Sequence, residues 1–508
     1  MQNRISIFSS ENGGRVLLLF LLFLLAIYQF VHAGLPAFAI ICLSPFLVLG
    51  VYVLFSWRMT AFWALFVINY FLQMHDSPIP SGIPMSMWNE MLEIILLAIA
   101  IVDVRESTSF KKCVNLMLFA LAIWCIFCTL QILNDTCDLG INVGSWYTGA
   151  RLMAFQLLYC FLVFSIYVST PKILINYLRL WALLSLFSAY WTYKQKYIGL
   201  TPTEYAWLYY GPGSVTHLLN AGTLIRYFST FSDAANYGCN AASAAVAFII
   251  IAITSKITWE RVFYAVIGVC VLWGMFQSGT RTGIFSLAAG LMVFIVLSKS
   301  FKIAVPFTIA FALFMGFLMF TDIGNGNQQI RRMRSAFDKS DASANVREIN
   351  KAAIKKYLED APWGLGVGST QSNIPSNNKY RRLSDIPPDS EYVYIWVHTG
   401  VIGLVVFIIT TLIMLAGACW ISMFQLKSRS LMGIGASFCS AFVAIHLGAY
   451  ANQILMQFPN CLIFYGGLSI VYVLPYLEPT WVEYEEQRLA KIAQKKRLKL
   501  EKKLAKRV

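Results

Sequence analysis

Long apolar runs recur along most of this 508-residue chain, separated by short polar segments. Many of them hold about 15 to 22 residues, close to the length a helix needs to cross the hydrocarbon core of a bilayer. Because that core offers the backbone no hydrogen-bond partners, a chain with many such runs must satisfy its own backbone as helices. With 58% hydrophobic and 13% charged residues, the chain cannot be an ordinary soluble protein.

We therefore predict an all-α polytopic membrane protein with about fourteen spans. The first run, VLLLFLLFLLAIYQF, is similar to a signal peptide, and Val31-His32-Ala33 is a candidate cleavage site. A second apolar run follows almost at once, so we predict an uncleaved span. The other spans are predicted near 35–56, 60–73, 89–103, 114–133, 150–168, 173–191, 236–254, 262–278, 283–298, 301–320, 397–422, 431–451 and 454–476.

The distribution of Lys and Arg indicates a topology rather than a nucleic-acid partner. The net charge is +15, but ten of the forty Lys and Arg residues follow Trp481, and eleven others lie in short loops between apolar runs. If the N-terminus is cytoplasmic, the basic loops fall on that side, whereas the short loops 74–88 and 135–149 hold no Lys or Arg. Both termini are thus predicted in the cytoplasm, and the long loops 192–235 and 322–396 outside it.

These spans divide the chain into four parts. Residues 1–321 hold spans 1–11 and the loop 192–235, residues 322–396 form the large outer loop, and residues 397–476 hold spans 12–14. Residues 477–508 form a basic cytoplasmic tail, which either lies on anionic lipid or is a solvated charged helix. The eleven cysteines are scattered without metal-ligand spacing, so no metal site is predicted.

Polar residues at the outer ends of two spans are candidates for binding an anion. Arg281 ends the span that closes with SGTRTG, where the alternative to a functional role is an anchor to lipid head groups. Arg226 lies in RYFSTFSDAANYG with Asp233 and Asn236 at the mouth of the next span. These side chains suit a charged head group and a hydroxylated sugar, although Asp233 can equally cap the helix.

The large outer loop supplies a second set of candidates. Asn345 and Glu348 have capping-box spacing and predict a helix through about Asp360, with Arg347 in its first turn. A cation there opposes the helix dipole, a cost that a bound anion offsets. The glycine-rich WGLGVGS (363–369) is either a tight turn, which we favour, or a phosphate-binding loop.

The loop closes with PPDSEYVYIWVHTGVIGL, in which Asp389, Glu391 and His398 lie within two helical turns if a helix starts near Pro388. Glu391 and His398 are seven residues apart and are predicted on a common face. Asp389 is also a natural N-cap. We assign Tyr392, between the two carboxylates and His398, to substrate binding.

The order of these motifs resembles that of the O-antigen polymerase and O-antigen ligase family of bacterial membrane glycosyltransferases. The resemblance rests on SGTRTG at the end of a span, an outer loop with VREINKAAIKKYLEDAPWGLGVGS, and EYVYIWVHTGVIGL after it; RYFSTFSDAANYG resembles the family's earlier arginine motif. It implies a C-type glycosyltransferase at the periplasmic face of the inner membrane, without cofactor or required metal. The implied donor is an oligosaccharide on undecaprenyl diphosphate.

Residue by residue, the resemblance implies that Arg226, Arg281 and Arg347 match the family's arginines. Arginine also suits the chemistry, because guanidinium groups bind phosphate oxygens bidentately and stabilise a leaving diphosphate. The ligase relatives carry a His about eleven residues before the position of Gly400, where this chain has Asp389-Ser390. We therefore predict Glu391 or Asp389 as the general base, with His398 as the alternative.

Three functions remain open at this stage. We favour a polymerase that adds glycan to a lipid-linked repeat unit, with a chain-length regulator and a flippase as pathway partners. The alternatives are a ligase that transfers glycan to lipid A core or protein, and a transporter or flippase of lipid-linked sugar. A flippase should carry polar residues through mid-membrane, whereas here they collect at the outer ends of spans.

Overall fold

The computed structural model describes residues 56–77, 85–103, 110–219, 224–337 and 342–505, together with Gly222 and scattered positions between 14 and 53. The first two predicted spans, up to residue 56, thus lie outside the described residues apart from those positions. The chain divides into a unit at Met1–Trp63 and a larger unit at Ala64–Val508. The architecture below is that of the larger unit.

Helices make up nearly all the secondary structure of the described part. Those up to the second long loop are α1 (Arg58–Phe71), α2 (Met85–Val102), α3 (Leu116–Leu130), α4 (Val143–Ala150), α5 (Gln156–Tyr167), α6 (Pro171–Tyr193), α7 (Pro202–Tyr210) and α8 (Gly213–His217). Those that follow are α9 (Ala234–Thr254), α10 (Thr258–Gln277), α11 (Thr282–Ser298), α12 (Phe301–Phe320), α13 (Gln328–Arg334), α14 (Ala342–Leu358), α15 (Glu391–Trp420), α16 (Arg429–Gly448) and α17 (Gly466–Ala505). The strands β1 (Leu218–Leu219) and β2 (Leu224–Ile225) pair antiparallel.

Eight helical segments of the described part are long and apolar enough to cross a membrane. They are Leu116–Leu133, Val143–Tyr167, Pro171–Ile198, Ala234–Thr254, Thr258–Gln277, Glu391–Gln425, Arg429–Gly448 and Cys461–Leu498, and the shorter apolar helices are Thr282–Ser298 and Thr308–Phe320. Every span predicted between residues 60 and 476 overlaps with one of these segments or with α1 or α2. The protein is an all-α polytopic membrane protein, as the sequence predicts.

The centre of the bundle is α9, whose small residues allow close helix packing. Its sequence AANYGCNAASAAVA is buried, and it packs against α10, α11 and α16. Helices α11 and α16 are also close, because a Cβ added at Gly290 would lie 2.9 Å from the carbonyl oxygen of Ser440. Small side chains bring helix backbones together where lipid provides no hydrophobic driving force. The rigid centre fixes the helix ends that carry the polar residues.

A kink in α15 binds the large loop to the bundle. Gly400 adopts φ 68° and ψ −175°, which breaks the helical hydrogen bonding, and the WGLGVGS turn provides the replacement partners. The N–H groups of Leu365 and Gly366 donate to the carbonyls of Val397 and His398 at 2.9 and 3.0 Å. Gly364, with φ 74°, faces Gly400 so closely that neither position has room for a Cβ. WGLGVGS is therefore a packing turn.

The chain between α16 and the last span differs from the prediction. Spans were expected at 431–451 and 454–476, but α16 ends at Gly448 and the last helical segment begins at Cys461. Residues 449–460 form a non-helical segment, which we call the amide segment because it carries Asn452, Gln453, Gln457 and Asn460. Proline at 459 and the hydrogen-bonding amides explain why this apolar stretch does not continue the helix.

Two further boundaries in the loop region are corrected. Helix α14 begins at Ala342 and ends at Leu358, so Asn345 lies inside it and does not cap it. Arg347 then lies in the second turn, where its interaction with the helix dipole is weak. The helix dipole therefore gives little support for a bound anion. Helix α15 begins at Glu391, after the N-cap residue Ser390, rather than near Pro388.

The basic tail continues the last span without a break, as part of α17. Its first turns contact the helix ends opposite the large loop, because Glu485 pairs with Lys256 at 2.7 Å and Arg488 pairs with Glu260. Arg179 also pairs with Glu260, at 3.1 Å. These ion pairs hold the start of the tail against the bundle, and they account for the charge of Arg179 within a span.

Candidate functional site

A cleft of about 820 Å³ opens beside the large loop, where α9, α14 and the amide segment meet. We call it the arginine cleft, because Arg226, Arg332 and Arg347 line it. Asp233 and Asp389 are the carboxylates among its described lining residues. The structure therefore brings together four of the predicted site residues, Arg226 and Asp233 with Arg347 and Asp389, although more than a hundred positions separate the first pair from the second.

The SGTRTG turn holds Arg226 in place. Gly279, at φ 59°, forms the tight turn between α10 and α11. Arg226 donates from Nε to the carbonyl of Ser278 at 3.2 Å and from Nη2 to Oγ1 of Thr280 at 3.3 Å. It also donates from Nη1 to the carbonyl of Thr216 at 3.1 Å. These contacts explain why the two arginine motifs of the sequence are neighbours in space.

The guanidinium groups around the cleft are close enough to repel one another. Burial, followed by the positive charge of Arg332, lowers the pKa of Arg226 to about 10. Asp233 opposes this shift, whereas Arg281 and Arg347 add to it. Arg226 is still protonated at neutral pH, so the fold holds several like charges together at a cost in free energy. A bound polyanion would offset that cost.

Arg281 lies near this cluster without being among the residues that line the cleft. Its Nη1 donates to the carbonyl and the hydroxyl of Ser335, at 3.1 and 3.2 Å. Arg332 lies in α13 and reaches back to the SGTRTG turn, donating from Nε to the carbonyl of Gly279 at 3.4 Å. Arg281 thus connects the turn to the chain after α13 and acts on the cleft through its charge.

Arg347 reaches the cleft from α14, and Asp389 fixes that helix. The Oδ2 atom of Asp389 accepts a hydrogen bond of 2.8 Å from Nδ2 of Asn350, one turn after Arg347. Asp389 has φ 53°, a left-handed conformation that non-glycine residues adopt rarely. The carboxylate that the sequence offered as a base is therefore hydrogen-bonded to the helix that carries Arg347.

Asp233 and Asn236 have structural partners. Asp233 is the N-cap of α9, and its Oδ1 accepts from the backbone N–H groups of Ala235 and Asn236 at 2.7 and 2.9 Å. The Asn236 side chain is buried and donates to Oε1 of Gln73 and of Gln457, at 3.0 and 2.8 Å. Asp233 also lines the cleft, whereas Asn236 fixes the amide segment to α9.

Glu391 faces a second cavity, of about 410 Å³, which we call the Glu391 cavity. Its described polar lining residues are Gln73, Ser86, Glu391, Tyr394, Gln453 and Gln457. Oε2 of Glu391 accepts a hydrogen bond of 2.9 Å from the backbone N–H of Leu455. Gln453 and Gln457 also line the arginine cleft, so the two cavities share one wall.

His398 and Tyr392 lie apart from both cavities. The Nδ1 atom of His398 is 3.3 Å from the carbonyl of Gly366, which places the ring against the WGLGVGS turn. His398 and Glu391 therefore contact different parts of the fold, although both lie on α15. The Tyr392 hydroxyl is 3.1 Å from Nδ1 of His446. Tyr392 also lines an apolar groove of about 510 Å³, which we call the Tyr392 groove and which shares Arg347 and Asp389 with the arginine cleft.

His217, in α8, is a cleft residue that sequence reasoning did not single out. Its Nε2 accepts a hydrogen bond of 2.9 Å from the N–H of Ala234, so the proton of the neutral ring is on Nδ1. Burial lowers the pKa of His217 to about 3, and the charge of Arg226 contributes to the shift. The imidazole is therefore neutral at physiological pH.

The amides of the amide segment were also missed. Gln457 and Asn460 were read as part of the span 454–476, and Asn452 and Gln453 as the short connection before it, although four amides within nine residues are expensive in lipid and were the available signal. Non-helical backbone at membrane depth is tolerated where it is buried in protein or lines a cavity. Among the residues that the structure describes, no three His, Cys, Asp or Glu side chains form a group that could hold a metal ion.

The fold and the cleft define a class: a multi-pass α-helical membrane protein whose helix ends and large loop enclose a cluster of arginines. Residues 266–408 match the family model described as O-antigen ligase, so this part of the chain is similar to that family. The match extends from α10 through Arg281, α14 and the WGLGVGS turn into α15. No curated protein is significantly similar in sequence to the chain. This similarity supports a function in polysaccharide-related glycan transfer.

Proposed function

We propose that the protein is a polysaccharide polymerase at the periplasmic face of a bacterial inner membrane. It transfers a glycan from undecaprenyl diphosphate onto a lipid-linked repeat unit. The observation that carries this proposal is the arginine cleft, where three guanidinium groups line one cavity and a fourth lies nearby. We expect a flippase and a chain-length regulator to be its partners in the pathway.

The cleft suits the diphosphate of the donor. Cleavage of the bond between the anomeric carbon and the diphosphate leaves negative charge on the departing oxygen. Arginine stabilises that charge with directed N–H donors, and Arg226 is held rigidly by three hydrogen bonds to the protein. Donors that are already oriented need no reorganisation during the reaction. Because Arg226 and Arg347 both line the cleft, they would contact the diphosphate directly.

The polyprenyl chain would leave the cleft along the Tyr392 groove. Its apolar lining residues are Val393, Trp396, Val401 and Leu404, together with the ring of Tyr392. Because the groove shares Arg347, Asp389 and Pro388 with the arginine cleft, one molecule can place its diphosphate in the cleft and its first isoprene units in the groove.

Glu391 is our candidate for the general base. An acceptor hydroxyl oxygen attacks the anomeric carbon, the carbon–oxygen bond to the diphosphate breaks, and its electron pair stays on the diphosphate. The hydroxyl proton moves to the carboxylate of Glu391. The backbone N–H of Leu455 fixes the orientation of that carboxylate. Asp389 is bonded to Asn350 and lies beside the arginines, so we assign it a positioning role.

Ligation to lipid A core or protein is the second candidate, because the matching family model is described as O-antigen ligase. The polymerase is favoured by the Asp389-Ser390 pair at the position where ligase relatives carry a His. The two activities differ in the acceptor and not in the donor site.

The deciding experiment uses the purified full chain in lipid nanodiscs. Its own undecaprenyl-diphosphate-linked repeat is supplied alone or together with lipid A core. A polymerase forms longer lipid-linked saccharides from the repeat alone. Product that appears only when lipid A core is present would establish the ligase, and no transfer in either mixture would contradict both.

A further inference from the structure

The Glu391 cavity has the chemistry of a saccharide site and not of a phosphate site. Glu391 is the one charged residue among its described lining residues, and no Lys or Arg is among them. Phosphate in such a cavity would face a carboxylate without a compensating cation. The cavity volume of about 410 Å³ is in the usual range of small-molecule sites. The ligand that fits is uncharged and rich in hydroxyl groups.

The polar groups of the cavity keep hydrogen-bonding capacity for such a ligand. Among the described contacts, the Gln453 side chain has no hydrogen-bond partner, although its amide offers two donors and an acceptor. Gln73 uses its Oε1 to accept from Asn236, which leaves its NH₂ group for a ligand. The hydroxyl of Ser86 accepts from Arg151 at 2.9 Å and can still donate.

The remaining lining residues can orient a sugar ring, and some of them also line the arginine cleft. Tyr394 provides an aromatic surface in the cavity, and its ring is held by an edge contact to His398 with centroids 4.5 Å apart. Gln457 is oriented by hydrogen bonds from Ser232 and Asn236, and its Nε2 donates to the carbonyl of Gln453. The shared wall of Gln453 and Gln457 places this cavity directly beside the arginine cleft.

We propose that the Glu391 cavity binds the terminal sugar of the acceptor, recognising its hydroxyls through Gln453 and Gln73. The inference rests on the proposed function for the role of the sugar as acceptor. The donor then occupies the arginine cleft and the acceptor the Glu391 cavity. One acceptor hydroxyl reaches the shared wall, where it meets the anomeric carbon. Discrimination between acceptors follows from the amides, since a ligand lacking the matching hydroxyl leaves them unpaired.

Binding measurements with two different probes distinguish the two cavities and do not require the enzyme to turn over. One probe is the repeat-unit oligosaccharide released from its carrier by mild acid, which carries no phosphate. The other is undecaprenyl diphosphate without sugar. Each is titrated onto the full chain in nanodiscs by isothermal calorimetry, for wild type, Gln453→Leu, Gln453→Asn and Arg347→Gln. Gln371→Leu, at an exposed position of the large loop, is the matched control.

We expect Gln453→Leu to weaken oligosaccharide binding by about tenfold, the size of one or two lost hydrogen bonds. Gln453 also lines the arginine cleft but carries no charge, so diphosphate binding should weaken much less. Gln453→Asn should be intermediate, and Arg347→Gln should show the reverse pattern. Retained diphosphate binding also establishes that the Gln453 variants fold.

Equal oligosaccharide affinity in wild type and Gln453→Leu overturns the inference, as does the absence of oligosaccharide binding to wild type. If Arg347→Gln weakened oligosaccharide binding as severely as diphosphate binding, both ligands would lie in one cleft. That result would also overturn the inference. The nanodisc transfer assay tests the proposed function separately. A protein that binds the free saccharide through Gln453 but transfers nothing refutes the polymerase and keeps the saccharide site.

Discussion

The carboxylate of Glu391 accepts a hydrogen bond of 2.9 Å from the backbone N–H of Leu455, 64 positions later in the chain. The backbone N–H of Glu391 in turn donates to the carbonyl of Ala449 at 3.0 Å. The first residue of α15 is thus held at two points by the amide segment. The contact gives a buried carboxylate a fixed direction toward the Glu391 cavity, which is what a general base requires.

Glu391→Gln tests that role. The amide oxygen can still accept from Leu455, but the amide cannot take a proton, so we expect turnover to fall by about 10²-fold or more with normal folding. Asp389→Asn keeps an oxygen for Asn350 and should retain most activity. The measurement is polymer length on a gel from a null strain expressing each variant, with membrane levels checked.

The exposed Asp385 in the same loop supplies the matched carboxylate control, Asp385→Asn. Wild-type chain lengths from Glu391→Gln at normal expression would remove Glu391 as the base. A severe loss in Asp389→Asn alone would transfer the role to Asp389, and the same result in His398→Ala would favour the imidazole.

Acid should destabilise the protein through His217. Its pKa in the folded protein is about 3, against an ordinary value of 6.5. Between these values the unfolded chain binds a proton that the folded chain does not, so stability falls as pH falls from about 6.5. The largest slope for one such group is about 1.4 kcal/mol per pH unit.

His217→Gln keeps an acceptor for the N–H of Ala234 and does not titrate. We expect its Tm in nanodiscs to depend less on pH between about 6.5 and about 4 than that of wild type. Parallel Tm curves for the two proteins would show that His217 does not contribute to the acid sensitivity.

The sequence predicted the helices because they depend on local signals. Span ends are marked by a change in hydropathy, and Arg226 and Arg281 stand at such ends. The partners of Glu391 and Asp389 could not be predicted, since Leu455 and Asn350 are brought to them by tertiary packing. Gln453 was missed for another reason: it lies in the two-residue gap between the spans predicted at 431–451 and 454–476, which is too short to be read as part of a site.

The predicted topology can be checked by labelling cysteines in whole cells. Ser376→Cys lies at an exposed position of the large loop, and Gln487→Cys lies at an exposed position of the tail. Because the short loops on the tail side hold Lys and Arg whereas the short loops 74–88 and 135–149 hold none, we expect a membrane-impermeant maleimide to label Ser376→Cys in intact cells and Gln487→Cys only after lysis. The reverse pattern would move the arginine cleft to the cytoplasmic face and contradict a periplasmic reaction.

Transfer should survive a chelator, because we assign the stabilisation of the leaving diphosphate to guanidinium groups. The measurement is elongation of the lipid-linked repeat by purified protein in EDTA, compared with the same mixture containing magnesium. If EDTA abolished elongation and a divalent ion restored it, Asp233 and Asp389 would become candidate ligands and the arginine mechanism would be wrong.

The last prediction separates direct contact with the diphosphate from action at a distance. Lysine keeps the charge of arginine but lacks the planar fork of N–H donors. Arg226→Lys and Arg347→Lys should therefore lower turnover by about 10²-fold, roughly the effect of removing one transition-state donor.

Arg281 acts on the cleft through its charge and is bonded to Ser335, so Arg281→Lys should cost less than the other two variants. Arg331→Lys, exposed on α13, is the matched control and should be neutral. Each variant is measured by initial rates of elongation in nanodiscs, after its Tm has been compared with that of wild type. If Arg226→Lys and Arg347→Lys elongate the repeat at wild-type rates, the cleft does not hold the leaving group. If Arg281→Lys were less active than Arg347→Lys, the diphosphate would lie nearer to the SGTRTG turn than to α14.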